Sequence, residues 1–162
     1  KESKLAYLSS CRDSRDSQAS LADLAELLRR SCAASTPADM YAQACSASNI
    51  APLQSVQDIL RRHAGTGKLR VPENLLTPGH GAALAGAAAG MSGLAVVDVS
   101  GNLLGDEAVG TLCTALGGGG AAGARASSPL QTLKLDNNHL RGACVPAVCA
   151  LVKASGLLYL SL

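Results

Sequence analysis

Three segments of the chain superpose residue on residue: Leu69-x-Val71-x-x-Asn74-x-Leu76, Val97-x-Val99-x-x-Asn102-x-Leu104 and Leu133-x-Leu135-x-x-Asn138-x-Leu140. A fourth begins as Leu157-x-x-Leu160-x-Leu162. The asparagines are 28 residues apart (74 to 102) and then 36 (102 to 138), and a Gly/Ala run at 117–124 supplies the eight extra residues. Leu84, Leu112 and Val148 each lie ten residues after their Asn. A fixed internal period constrains the fold more than any composition argument, because each repeat must be the same structural element stacked on its neighbour.

The Leu-x-Leu half alternates at period two and predicts a short strand with aliphatic side chains facing inward. After the asparagine the spacing becomes helical. Val109, Leu112 and Leu116 fall at i, i+3 and i+7, and Val145, Val148 and Val152 repeat that pattern, predicting two helices with those residues on the core side. One repeat is thus a strand, a turn and a helix, and stacking gives an α/β solenoid with a parallel sheet on the concave face and helices on the convex face. Each Asn stands at the strand-to-helix turn, where its amide is expected to satisfy backbone groups of that turn and of the next repeat. Asn74, Asn102 and Asn138 are therefore read as structural.

These segments, above all VDVSGNLLGDEAVGTLCTAL (97–116) and LKLDNNHLRGACVPAVCALV (133–152), resemble the ribonuclease-inhibitor-like class of leucine-rich repeats. The resemblance covers residues 69–162. It implies long repeats with a full convex helix and a role as a protein-binding scaffold. The first repeat departs from the pattern, with Pro72 inside the expected strand and a small, glycine-rich helix in VPENLLTPGHGAALAGAAAG, as an atypical end repeat would.

Ahead of the repeats, residues 1–19 are rich in Ser and charge and are expected to be flexible, and 20–64 read as a helical cap. Ser20 with Asp23 suggests an N-cap opening a helix through Leu21, Leu24, Leu27 and Leu28, closed by Arg29 and Arg30. A second helix starts at Thr36-Pro37 and carries Met40, Tyr41, Ala44 and Cys45. A third starts near Pro52 with Leu53, Val56, Ile59 and Leu60 on one face and stops before Gly65. Placed before the repeats (65–162), a helical hairpin would cover the apolar end of the solenoid. The wording MYAQACSASNIAPLQSVQDILRR (40–62) is similar to the lead-in of Tonsoku-like replication-fork scaffolds and of some ciliary leucine-rich repeat proteins. That similarity implies an intracellular setting: cytoplasm, nucleus or cilium. The chain has no initiator Met and stops inside a repeat with no polar cap, so it reads as a piece of a longer protein. Upstream ankyrin or tetratricopeptide repeats would suit a nuclear replication or repair scaffold; an upstream nucleotide-binding domain would suit the regulatory repeats of an immune-type sensor.

Composition narrows function by what it lacks. Fourteen basic and 12 acidic residues leave a net charge of +2, which gives nucleic acid or an anionic membrane no particular hold. No apolar run is long enough to span a bilayer. The core must be built from Leu, Val and Ala, since Tyr7, Tyr41 and Tyr159 are the only aromatics, and modest stability follows. Six cysteines (Cys11, Cys32, Cys45, Cys113, Cys144, Cys149) form no C-x-x-C pair and no metal spacing. Cys113 and Cys149 occupy equivalent positions on neighbouring helices about 8–10 Å apart, too far for a disulfide, which predicts free buried thiols. GTGK at 65–68 is not a phosphate loop, because Arg62 stands where the first Gly is needed and Leu69 where Ser or Thr is needed. The run 117–128 reads as a surface insertion. His63, His80 and His139 are scattered. No catalytic residue, metal or cofactor is expected.

What remains is the concave row between the inward aliphatics: Arg70, Asp98, Lys134 and Ser161, with Pro72, Ser100 and Asp136 two residues on. Asp98 between two cations would hold the repeats in register. Arg70, Asp98, Lys134, Asp136 and Tyr159 are the candidate contacts for a protein partner, with Tyr159 as anchor because it is the only aromatic in the repeats.

Overall fold

The computed structural model describes residues 35–118 and 129–162. Two short helices come first, α1 (Pro37–Ala47) and α2 (Gln54–Arg62). Then β1 (Lys68–Arg70), α3 (Pro78–Gly90), β2 (Val96–Asp98), α4 (Gly105–Leu116), β3 (Thr132–Lys134), α5 (Val145–Ala154) and β4 (Tyr159–Ser161) follow in alternation. The four strands form one parallel sheet in the order β1-β2-β3-β4. The expected helix at 20–30, the flexible segment 1–19 and most of the insertion at 117–128 lie outside the described residues.

Local sequence explains where the helices begin. Thr36 caps α1 reciprocally: its hydroxyl accepts the Asp39 N–H at 3.2 Å, and the Asp39 carboxylate accepts the Thr36 N–H at 3.2 Å. Pro37 and Pro78 both sit in the first helical turn, where a missing N–H costs nothing. In α3 the third residue, His80, replaces an acidic partner. Its Nδ1 accepts the Thr77 N–H (3.3 Å) and its Nε2 meets the Ala51 carbonyl (3.1 Å). A carbonyl only accepts, so the ring carries its proton on Nε2 and ties α3 to the link between α1 and α2.

Packing follows the period. Leu69, Val97 and Leu133, at the centre of β1, β2 and β3, are fully buried, and their flanking residues face outward. Helix α3 lies between α1 and α4, and α5 lies against α4. The small residues of α3 are a response to that squeeze. A methyl group at Gly81 would meet Leu104 Cδ2 at 2.7 Å and Ala108 Cβ at 2.8 Å. Tyr41, Cys45, Val56 and Leu60 close the opposite end of the core, and Tyr41 Oη accepts the Leu53 N–H at 3.4 Å. Thr36–Leu162 forms one compact unit, so α1 and α2 belong with the sheet.

Four expectations are corrected. Pro72 is not in the first strand. β1 ends at Arg70, and Pro72 falls between Val71 and Glu73, whose N–H groups bond to Asp98 and Ser100 at 2.8 and 2.9 Å. The missing N–H therefore belongs on the side of β1 away from β2, where among the described residues no ladder bond is lost. The glycine-rich helix starts only at Pro78, because Thr77-Pro78 supplies the start signal. Val145 and Val152 are 51% and 41% exposed, whereas Val109 and Leu116 at the same register positions of α4 are buried. Helix α5 covers α4, and among the described residues no helix covers α5. Cys149 shares that uncovered flank and is exposed, while Cys45, Cys113 and Cys144 are buried free thiols.

Candidate functional site

The parallel register aligns the outward side chains in rows. Arg70 stands opposite Asp98, Asp98 opposite Lys134, and Lys134 opposite Ser161. Equivalent backbone bonds recur across the sheet: the N–H groups of Val71, Val99 and Leu135 donate to the carbonyls of Asp98, Lys134 and Ser161 at 2.8, 3.0 and 2.8 Å. Repeated bonds of this kind fix the rows to a common geometry, which is why side chains on them are pre-positioned.

Electrostatics along the central row are uneven. Lys134 Nζ is 3.9 Å from Asp98 Oδ2 and 6.0 Å from the centre of the Tyr159 ring. The other Asp98 oxygen accepts the Ser100 hydroxyl at 2.7 Å. Asp136 accepts the Ser161 hydroxyl. Among the described residues neither Arg70 nor Lys68 has a carboxylate within ion-pair distance, so the expectation that Asp98 is flanked by two paired cations holds for Lys134 only. Exposure of the Lys134 side chain (42%) makes that pair worth at most a fraction of a kcal/mol, about 0.2–1 for an exposed pair.

Tyr159 belongs to a second row that the sequence reading did not identify. Its strand partners are Thr132, then Val96, then Lys68. Lys68 and Tyr159 are exposed at the two ends, and Val96 and Thr132 form a half-buried floor between them. The signal was available: each of these residues precedes an inward aliphatic by one position. Lys134 bridges the two rows by reaching diagonally to the Tyr159 ring.

At the helix side of the sheet, the asparagines bind in the direction opposite to the one expected. Asn102 Oδ1 accepts the N–H groups of Asn74 and Leu76, both at 3.0 Å, and its Nδ2 donates to Val71, Val99 and Ser100 carbonyls at 2.9, 2.8 and 3.1 Å. It serves its own turn and the preceding one. Asn138 likewise donates to Val99 at 2.9 Å. Asn74 is partly exposed and donates to Pro72 O at 2.6 Å, and among the described residues it bonds no earlier turn. A second link between repeats comes from Asp106, whose carboxylate accepts the N–H groups of Arg141, Gly142 and Cys144 at 2.9, 3.1 and 3.1 Å. The Cys144 side chain, which donates to it, and these N–H groups hold the carboxyl below the ordinary aspartate range.

A groove of about 830 Å³ lies at the β4–α5 end, lined by Val145, Val148, Cys149, Val152, Leu160 and Leu162 among others. Burial drives the Cys113 thiol up to about 12, so it carries no thiolate near neutral pH. Among the described residues no three His, Cys, Asp or Glu side chains gather as a metal would need, and no helix is long and apolar enough to cross a membrane. No family model, curated protein or solved structure matches the chain.

Proposed function

We propose that this chain carries leucine-rich repeats of the ribonuclease-inhibitor-like class, stacked as a solenoid, and that it is a non-enzymatic scaffold binding another protein on the concave, strand side. The observation that carries the reading is the register of the outer rows. Arg70, Asp98, Lys134 and Ser161 recur at one position of successive parallel strands, held by the same backbone bonds. Side chains fixed in this way lose little freedom on binding. The buried Asn102 and Asn138 support the repeat reading, because an amide that bonds two successive turns serves stacking rather than chemistry. Arg70, Lys134, Asp136 and Tyr159 would meet the partner, with Asp98 orienting Lys134. The buried free thiols of Cys45, Cys113 and Cys144 suit an intracellular setting.

The test partitions the surface. A partner recovered with the full chain must bind more weakly to Arg70→Glu and Tyr159→Ala proteins, and unchanged to Glu107→Ala or Thr111→Ala on the helix side. Loss confined to the helix side, or steady turnover of a small substrate by a chain that holds no protein, would refute the proposal.

A further inference from the structure

The outer face differs in character from one edge to the other. Both carboxylates at its centre are occupied: Asp98 by Lys134 at 3.9 Å and Ser100 at 2.7 Å, Asp136 by Ser161. The two cations on β1 are not. Lys68 and Arg70 are exposed on the same side of one strand, and among the described residues no carboxylate lies within ion-pair distance of either. At the other edge stands the Tyr159 ring, 52% exposed and approached by Lys134. Between them lie Val96 and Thr132, uncharged and half-buried, which a ligand can cover without stripping water from a charge.

Resting on the binding face argued above, we propose that its ligand is an extended peptide segment laid across the strands along the row Lys68, Val96, Thr132, Tyr159. An acidic side chain sits at Lys68 and Arg70, and an aromatic or large aliphatic side chain sits against Tyr159. The spacing is set by geometry. Three strand-to-strand steps of about 4.8 Å separate β1 from β4, about 14 Å in all, and an extended chain advances about 3.3 Å per residue. The acid and the apolar residue are therefore about four positions apart. Lys68 and Arg70 steer and orient the acidic end, and stacking on Tyr159, the single exposed aromatic among the described residues, supplies the anchor.

A library of random heptapeptides displayed on phage and panned on the full chain tests this directly. Enriched sequences are expected to carry Asp or Glu about four positions from Trp, Phe, Tyr or Leu. Their affinity should fall at least ten-fold in the Lys68→Glu, Arg70→Glu double variant and in Tyr159→Ala, with unchanged melting temperature. Replacing the peptide's acid by Lys should restore binding to the double variant. Enriched peptides that need Lys134 and Tyr159 but show no acidic residue at that spacing would overturn the inference and leave the binding face standing. No enrichment, or peptides indifferent to all outer-face substitutions, would overturn both.

Discussion

Asn102 and Asn138 occupy equivalent turns, both 1% exposed, yet only Asn102 uses its side-chain oxygen. Asn102 Oδ1 takes two N–H groups from the turn before it, where Glu73 and Leu75 both have positive φ (51° and 55°). The turn before Asn138 is built differently: Gly101 and Gly105 are the positive-φ residues (66° and 70°), and no N–H from it reaches Asn138 Oδ1.

The two asparagines should therefore differ in worth. Asn102→Ala strips partners from two buried or half-buried N–H groups and several carbonyls, and an unpaired buried group costs about 1–3 kcal/mol, so a loss of at least about 3 kcal/mol is expected. Asn138→Ala removes donors only and should cost clearly less. Urea unfolding of the two variants checks the order; equal losses would mean that the side-chain oxygen of Asn102 contributes nothing.

Asp106 joins α4 to the loop before α5 through three backbone N–H groups, and its carboxyl is held below the ordinary aspartate value. Asp39 is held low too, first by the Thr36 hydroxyl. A depressed folded-state pKa means that the unfolded chain binds more protons, so the stabilisation is complete above the unfolded value of about 4 and is lost as pH falls through the folded value. Melting temperature should decline on that acid side, and Asp106→Ala should flatten the decline while lowering stability at neutral pH. An unaltered acid slope in the variant would contradict the link.

Gly81 of α3 packs against Leu104 and Ala108 at the start of α4. Gly81→Ala brings a methyl within 2.7 Å of Leu104 and 2.8 Å of Ala108, so overpacking should outweigh the helix propensity gained, at a net cost of about 1–3 kcal/mol. Gly86→Ala, with open space at its Cβ position, should be neutral or stabilising. Thermal unfolding of the pair distinguishes steric closeness from mere helix propensity.

Cys149 is exposed, whereas Cys45, Cys113 and Cys144 are buried. Maleimide labelling of the native chain, mapped by peptide mass spectrometry, should modify Cys149 at least ten-fold faster than those three. Comparable rates would mean that α5 and α4 do not pack as described.

Much of the architecture was legible in the residues, because a strand needs only alternation and a turn only its Asn. The register of Arg70, Asp98, Lys134 and Ser161 could be read by aligning repeats, since identical bonds fix each strand to the next. Burial was not legible in the same way. Val145 and Val152 repeat the pattern of Val109 and Leu116, but a periodic position is buried only if a neighbour covers it. The Asp106 link was not legible because its partners lie 35 to 38 residues away, outside any local capping pattern. Spacing reveals that the Asn102 amide bridges turns but not that its side chain leans towards the preceding one. The row through Lys68 and Tyr159 lies outside the alternating Leu-x-Leu pattern, because its residues stand just before the first inward aliphatic of each strand.

The most direct measurement sets affinity against stability for one partner bound to the full chain, with Lys134→Glu and Tyr159→Ala as the probes. Both side chains are exposed or half-exposed and make only weak contacts, an ion pair at 3.9 Å and a ring approach of 6.0 Å, so melting temperature should stay within about 2 °C. Affinity should fall at least ten-fold in each. Intact affinity with a lowered melting temperature would mean that these rows only hold the strands together, and the assignment of the outer face to a protein partner would be wrong.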